Sequence, residues 1–592
     1  MRIKWKRSST QWQTYALSLA CCLAMSAPRA QLTLQTGERT DANSKTAHIE
    51  LIDKLHQGRI DLYFAGDSIT RRWGTSDPAY KEMLANWRQN FLGWNAADFG
   101  WGGDTVQNIL WRLQNGELRG ANPKVIVLMA GTNNLGDAVT DPLRPVKVTE
   151  VVTGIRQILD TMRQLAPQST VLLMGITPRN GKNGDTSVVA VINDINQQLA
   201  TLADGKRIRY LNINAKLADA NGKLFDGMTV DGLHLSVRGY QVWADALQPQ
   251  LVELLGPKAK VDLSPPPSGD PSARVGNQLA NAGIVPYSDK LNALIDPAEP
   301  IKLVVPGFKW SEGPVWIDDA DGGSLLFSDV PDNKIYRLRE EGLLSIFLDP
   351  SGFEGKDASA FREPGTNGLL RYDATHILAA NHGQRQLTLI DLQTRQKTPL
   401  VTYYNGKRFN SPNDVALAKD GSVYFTDPPY GLAGIEKSPL RELPFSGVFR
   451  YGKDGKLTLI DDSLSFPNGV GVFPDGRHLL ISSSDPRAPI WKLYTLDAQG
   501  KVLESRQFAD ASEEVRAHLP GAPDGLKIDK DGNVFASGPG GIHIFSSQGE
   551  LLGIIRLPDA AANMAFGGNS AHTLFITAGT RLMKVETRTR GQ

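Results

Sequence analysis

A proline-rich break divides this chain into two halves with different hydrophobic rhythms. It reads Leu263-Ser264-Pro265-Pro266-Pro267-Ser268-Gly269-Asp270-Pro271. Proline fixes φ and removes a backbone donor, so this stretch joins neither a helix interior nor a central strand. The sequence predicts an extended, fairly stiff linker over residues 256–290. Length points the same way: 592 residues exceed what one core supports, which levels off near about 250–300.

Before the break, short apolar runs alternate with helical periodicity. Ile60 to Ala65, Val125 to Met129, Val171 to Met174 and Ile208 to Ile213 are continuous apolar strands. Such runs suit strands covered on both faces. Between them Val106, Ile109, Leu110 and Leu113 share one helix face, after a cap at Asp104. Val188, Ile192, Ile195, Leu199 and Leu202 form a second stripe. Strand and helix in alternation predict a three-layer α/β domain with a parallel sheet over 50–255.

After the break the texture becomes β-rich. Asp420-Gly421, Asp454-Gly455, Asp475-Gly476 and Asp531-Gly532 each lie between alternating apolar residues, the signal for a hairpin turn. Recurring strand units fit a β-propeller of about six blades, at roughly 40–50 residues per blade. It is predicted over 291–592.

The N-terminus reads as an export signal over residues 1–30. Arg2, Lys4, Lys6 and Arg7 precede an apolar core from Ala16 to Met25, which is too short to span a bilayer. The expectation is a periplasmic or secreted protein with no membrane span after processing. A lipoprotein is less expected, because Cys21 precedes Cys22 where a small residue belongs. Both cysteines lie inside this signal, so the processed chain has neither disulfide nor thiolate. A net charge of +1 without a basic stripe argues against a nucleic-acid partner.

Four segments carry chemistry in the first half: Gly66-Asp67-Ser68, Gly100 to Asp104, Gly131-Thr132-Asn133-Asn134, and Asp231-Gly232-Leu233-His234. The first three follow strands directly, and in an open parallel sheet such loops line one crevice. Acyl transfer needs a nucleophile, a base, a group orienting the base and donors for an oxyanion. Ser68 supplies the nucleophile, His234 the base and Asp231 the orienting carboxylate. The N–H groups of Ser68 and Gly103 and the Asn133 amide supply the donors. No cofactor is expected here. These blocks, with Leu110-Trp111-Arg112-Leu113 and Asn115-Gly116-Glu117-Leu118, resemble the SGNH, or GDSL, hydrolases over roughly 50–255. Within them the likeness is to the platelet-activating-factor acetylhydrolase alpha subunits. The resemblance implies the same roles for the same five residues. Asp98 stands where relatives often carry Asn, a change expected to weaken loop hydrogen bonding.

In the second half the candidates are oxygen donors: Glu312, Asn413, Asn468 and Asp524, each before a strand-like run. Carboxylates and amides without cysteine suit a hard divalent ion such as Ca²⁺, Mg²⁺ or Mn²⁺, with Zn²⁺ also open. Taken singly, these residues are also ordinary turn formers. Residues 295–585 resemble the gluconolactonase, or senescence-marker-protein/regucalcin, family. The likeness rests on the Glu312 motif, Asn405 to Asp414, Phe425 to Gly431 and Asn563 to Gly568. It implies a six-bladed propeller with one divalent ion. Glu312, Asn468 and Asp524 are then its ligands, Asp524 assists water attack, and Asn413 is a ligand or substrate contact. His382 is a candidate substrate contact, and Ser483 stands where relatives tend to have Asp.

The expectation is an exported, bifunctional, carbohydrate-directed hydrolase, with a serine esterase removing O-acetyl groups and a metal-dependent sugar lactonase. Its partners are small-molecule or polysaccharide esters and sugar lactones. Two alternatives are a propeller that only binds carbohydrate and an esterase acting on lipid or aryl esters.

Overall fold

A computed structural model describes residues 34–181, 187–274, 276–318, 323–339, 342–568 and 570–592. The export signal expected over residues 1–30 lies outside them. Among the described residues no helix is long and apolar enough to cross a membrane.

The first half is built on strands β1 (Leu62–Gly66), β2 (Ala96–Asp98), β3 (Val125–Met129), β4 (Thr170–Met174) and β5 (Ile208–Leu211). They pair in parallel in the order β2-β1-β3-β4-β5. Every residue of β1, β3 and β4 is buried, which accounts for their unbroken apolar runs. β5 is an edge strand on which only Ile208 is buried.

Helices α1 (Ala42–Lys54), α2 (Ser68–Gly74), α3 (Lys81–Phe91), α4 (Val106–Gln114), α5 (Arg144–Leu165), α6 (Ser187–Ala200), α7 (Asn214–Leu217) and α8 (Val237–Leu255) accompany the sheet. The stripes of α4, α5 and α6 cover one face. The other face buries an aromatic cluster of Phe64, Trp73, Trp87, Phe91 and Trp243. Its rings meet mostly edge to face, as their quadrupoles favour. That cluster forms the bed under α2, the helix that Ser68 begins.

The cap of α4 differs from expectation. Thr105, not Asp104, caps the helix, in a reciprocal box with Asn108. Asp104 instead turns inward and is fully buried against Arg112.

The second half is a six-bladed β-propeller of four-stranded antiparallel sheets. The six inner strands are Ser311–Ile317, Thr366–Arg371, Val415–Leu417, Pro467–Val472, Leu526–Ile528 and Ala561–Gly567. The Asp-Gly pairs sit between paired strands, and Gly421, Gly455, Gly476 and Gly532 have φ of +85°, +78°, +67° and +88°. A residue with a Cβ is disfavoured there. The last blade closes with an earlier piece of chain: Lys302–Pro306 pairs with Arg581–Glu586 as its outer strand.

The segment expected to be an extended linker is instead pinned at both ends. Gly283–Pro286 pairs with Leu551–Arg556 and adds a fifth strand to the fifth blade. Its apolar Ile284 and Val285 find an open strand edge, which outweighs the stiffness of the prolines before it. Asp262 is buried on the α/β side, where its carboxylate accepts the N–H groups of Gly93 (2.5 Å) and Asn95 (3.2 Å). Its carbonyl accepts Arg556 Nη2 (2.6 Å) and the Tyr287 hydroxyl (3.0 Å) from the propeller side. Arg88 of α3 donates across the same seam to Ile284 O at 2.9 Å.

Asp262→Ala would leave two buried N–H groups without acceptors. It should lower stability by about 2–6 kcal/mol, since each of the two orphaned groups costs roughly 1–3. Urea denaturation checks this, and a wild-type midpoint would show that the carboxylate does not hold the seam.

Candidate active sites

Ser68 is the first residue of α2, directly beyond β1, and Asp67 caps that helix by accepting Ile69 N–H at 2.9 Å. Burial raises the Asp67 carboxyl to about 7. The loops after β1, β2 and β3 are tied together. Trp101 N–H donates to Gly66 O (3.1 Å), Asn133 Nδ2 to Asp104 O (2.9 Å), and Val106 N–H to Asn134 Oδ1 (3.0 Å). Arg112 fastens them from behind. Its guanidinium reaches Asp104 Oδ2 (2.8 Å), Phe99 O (3.0 Å), Glu117 Oε2 (2.5 Å) and Gly66 O (3.4 Å). Arginine's planar fork suits such a multiple clamp.

Asp98 strengthens this loop rather than weakening it. Its carboxylate accepts Gly100 N–H at 2.7 Å and Gly74 N–H at 3.2 Å. The buried Lys54 ammonium bonds Asp98 O at 2.9 Å and offsets the charge. Burial raises the Asp98 carboxyl to about 6 and lowers Lys54 to about 8.

The structure brings Ser68, His234 and Asp231 into one line. His234 Nε2 lies 3.0 Å from Ser68 Oγ, and His234 Nδ1 lies 2.7 Å from Asp231 Oδ2. Asp231 Oδ1 also accepts the backbone N–H groups of His234 (2.7 Å) and Leu233 (3.1 Å), so one short turn fixes both side chains. Burial acts to raise the Asp231 carboxyl, but the His234 donors outweigh it and the net shift is downward. Burial lowers the His234 imidazole below its ordinary 6.5, against the pull of Asp231. Gly103 has φ +78°, and a Cβ there would meet Arg39 Nη1 at 3.2 Å. Arg39 in turn donates to Gly102 O at 2.9 Å. Beside this loop lies a cleft of about 210 Å³, with Arg39, His48, Trp101 and Trp111 among its walls. A hydroxyl, imidazole and carboxylate in this order can move the hydroxyl proton as a carbonyl is attacked.

In the propeller one polar residue from each blade meets at the head of the channel: Glu312, Asn367, Asn413, Asn468, Asp524 and Asn563. Four of them belong to inner strands, and Asn413 and Asp524 each lie two residues before theirs. Close approaches of glycine define their neighbours. A Cβ at Gly313 would lie 2.0 Å from Asn367 O, one at Gly469 2.2 Å from Asp524 O, and one at Gly525 2.1 Å from Asn563 Cγ. Amides chain around the ring: Asn367 Nδ2 donates to Asn413 Oδ1 (3.0 Å), and Asn413 Nδ2 to Asn468 Oδ1 (2.6 Å). Asn563 bonds the Glu312 carboxylate and accepts Lys527 Nζ at 3.0 Å. The sequence reading missed Asn367 and gave Asn563 no role. Aligning Thr366-Asn367-Gly368 with Pro467-Asn468-Gly469 would have found the first.

Burial raises both Glu312 and Asp524 above the usual carboxylate range, and Glu312 raises Asp524 further. Asp524 Oδ1 and Asn367 Oδ1 are sealed from solvent and lack a hydrogen-bond partner among the described residues. Two crowded carboxylates, an amide ring and orphaned oxygens are the donor set a hard cation relieves. Among the described residues there is no cluster of three or more His, Cys, Asp and Glu side chains able to hold a metal ion. A cation here therefore depends on amide and water oxygens as well. Ser483 lies within a strand, paired with Pro467 and Ile490. Its neighbour Ser484 is the one that meets the ring, accepting Asn468 Nδ2 at 2.9 Å. His382 is fully buried, with Nδ1 at 3.4 Å from Glu363 Oε2.

Comparison with known proteins agrees with this division. Residues 64–242 match the GDSL-like lipase/acylhydrolase family, and residues 310–580 match the SMP-30/gluconolactonase/LRE-like region. A gluconolactonase of Zymomonas mobilis is 43% identical over 312 residues, covering 52% of this chain and 87% of the relative. The alpha1 subunit of platelet-activating factor acetylhydrolase IB from Rattus norvegicus is 33% identical over 220 residues, covering 36% of this chain and 85% of the relative. A solved gluconolactonase from Xanthomonas campestris is 29% identical, covering 52% of this chain and 95% of its own, with a TM-score of 0.44. The chain is thus a hydrolase of ester and lactone bonds that belongs to two families, GDSL-like acylhydrolase in its first half and SMP-30/gluconolactonase in its second.

Proposed function

We propose that the first site is a serine esterase acting on O-acetyl groups of carbohydrate, and that the second opens sugar lactones with the help of a divalent ion. The observation that carries the first reading is the Ser68–His234–Asp231 line with its two close contacts. Ser68 Oγ attacks the ester carbonyl while His234 Nε2 takes its proton. The oxyanion is stabilised by the N–H groups of Ser68 and Gly103 and by the second N–H of Asn133 Nδ2. His234 returns the proton to the departing alcohol, and water then releases the acyl group by the same route. The acetyl preference draws on the relatives named as acetylhydrolases. The carbohydrate preference draws on the cleft beside Gly102, whose walls include Trp101 and Trp111 beside the polar side chains of Arg39 and His48.

The second reading rests on buried Glu312 and on Asp524 Oδ1, an oxygen shut off from solvent and unpartnered among the described residues, together with the amide ring. A divalent ion held by Glu312, Asn468 and Asp524 would polarise the lactone carbonyl. Asp524 Oδ1, the oxygen without a partner, accepts a proton from the attacking water. Asn413 lies between Asn367 and Asn468 in the ring, where it orients both amides.

Ser68→Ala should lower ester turnover by roughly 10⁴-fold or more while lactone turnover stays unchanged. Near-native hydrolysis of acetylated xylan oligomers by this variant would remove the triad.

The pH profile gives a second check. His234 must be neutral to act as base, so esterase activity is full above its pKa and falls as pH drops through it. Burial places that acid limb below 6.5. A limb above this value would contradict the buried imidazole.

Asp524→Asn should lower glucono-1,5-lactone hydrolysis by at least roughly 100-fold and weaken Mn²⁺ binding in titration calorimetry, with ester hydrolysis intact. Unchanged metal affinity would remove Asp524 as a ligand.

A further inference from the structure

We propose that Glu363, set beside His382, is the residue that selects hydroxylated lactones at the mouth of the propeller channel. This rests on the lactonase reading above and adds a specificity group that the amide ring does not contain.

Glu363 lies on the loop that leads into the second inner strand, in Arg362-Glu363-Pro364-Gly365-Thr366-Asn367. Its backbone is hooked to the facing loop, where the N–H groups of Arg362 (2.9 Å) and Glu363 (3.2 Å) both donate to Gly431 O. Pro364 and Gly365 tighten the same hook: Pro364 O accepts Phe353 N–H (2.8 Å) and Gly365 O accepts His382 N–H (3.1 Å). The side chain is therefore not a free surface acid, and only 7% of the residue is exposed.

The carboxylate faces inward. The loop that Glu363 is hooked to carries Tyr430, whose side chain bonds Ser484, and Ser484 accepts Asn468 Nδ2 of the ring at 2.9 Å. On its outer side Arg362 Nη2 lies 3.0 Å from Oε1. On its inner side His382 Nδ1 lies 3.4 Å from Oε2. His382 has no exposed surface, and neither ring nitrogen makes a hydrogen bond among the described residues. Buried polar atoms are nearly always partnered, so an orphaned imidazole beside a channel marks a place where a ligand completes the network. The ring has no room to turn away, because Gly431 packs against it so closely that a Cβ there would sit 2.7 Å from His382 Cγ.

The chemistry follows from donors and acceptors. A carboxylate accepts only, and a sugar hydroxyl donates to it in a charge-assisted bond. The wall at Ser484 and Tyr430 offers hydroxyls instead, with Ser484 Oγ already donating to Pro523 O at 2.6 Å. Glu363 thus supplies a buried carboxylate acceptor that no part of the amide ring offers to the substrate's hydroxyls. A site built to bond a hydroxyl rejects the analogue that lacks it, because its own polar groups are left unpaired.

The test uses the full chain carrying Ser68→Ala, with glucono-1,5-lactone and the unhydroxylated δ-valerolactone as substrates. Glu363→Gln should raise KM for gluconolactone by about tenfold to a hundredfold, the worth of one charge-assisted bond. It should leave kcat/KM for δ-valerolactone within about twofold, since that substrate never used the bond. His382→Gln should shift the same preference in the same direction. Equal losses on both lactones would overturn the proposal in favour of a structural or general catalytic role, and no change on either would overturn it outright. Binding of methyl α-D-glucopyranoside by calorimetry separates this from the lactonase reading. If the parent binds the sugar and Glu363→Gln weakens it about tenfold, recognition by Glu363 holds even where lactone turnover is absent. Equal affinity in parent and variant, or no binding in either, overturns it.

Discussion

Closure of the propeller ring is the constraint on which the rest of the structure depends. A ring of sheets is stable only when its last blade meets its first, and here the closing strand comes from Lys302–Pro306, ahead of the first inner strand. The strand before it, Gly283–Pro286, is taken up by the fifth blade. The proline-rich segment then has little slack, and its first part is fastened to the α/β domain through Asp262. The junction between the halves is therefore a seam of backbone pairing and buried hydrogen bonds. Each candidate site keeps its own architecture on either side of it.

The two centres solve one electrostatic problem differently. In the α/β domain the strand ends bring three loops together, and Arg112 holds them with charge that Asp104 and Glu117 balance. Pairing keeps the network affordable in a buried place, where an isolated ion would be costly. Asp231, whose carboxylate meets His234, stays partly exposed and lies near Arg72. In the propeller the charges are left unbalanced. Glu312 and Asp524 are crowded together under an amide ring, and Lys527 reaches the ring only through Asn563. One half thus stores its charge in closed pairs behind the site, and the other leaves it open at the site.

What was legible in the sequence was local. Strand runs such as Val125 to Met129 announce burial on two faces, and Asp-Gly pairs announce turns, because each signal is contained in a few neighbouring residues. The triad was legible because Asp231 and His234 share one turn and Ser68 follows a strand. Features fixed by distant partners were harder to read. Asp104 looked like a cap, but its partner is Arg112, about two helix turns beyond the true cap at Thr105. Asp98 looked like a loss, until Lys54 and the N–H groups of Gly74 and Gly100 appeared around it. Ile284 and Val285 looked like linker because the strand they join lies far along the chain. Asn367 was passed over because the ring exists only once six blades are superposed about one axis, and Glu363 because the groups it meets, His382 and Gly431, lie on other loops.

That one chain carries two chemically independent hydrolytic centres is our proposal. It is tested most directly by reacting the purified chain with one equivalent of a serine-directed phosphonate and following both activities in the same sample. Labelling at Ser68, located by peptide mass, should remove ester hydrolysis in proportion to the label while glucono-1,5-lactone hydrolysis continues at its original rate. Parallel loss of both activities would contradict it and place both reactions at the Ser68 site.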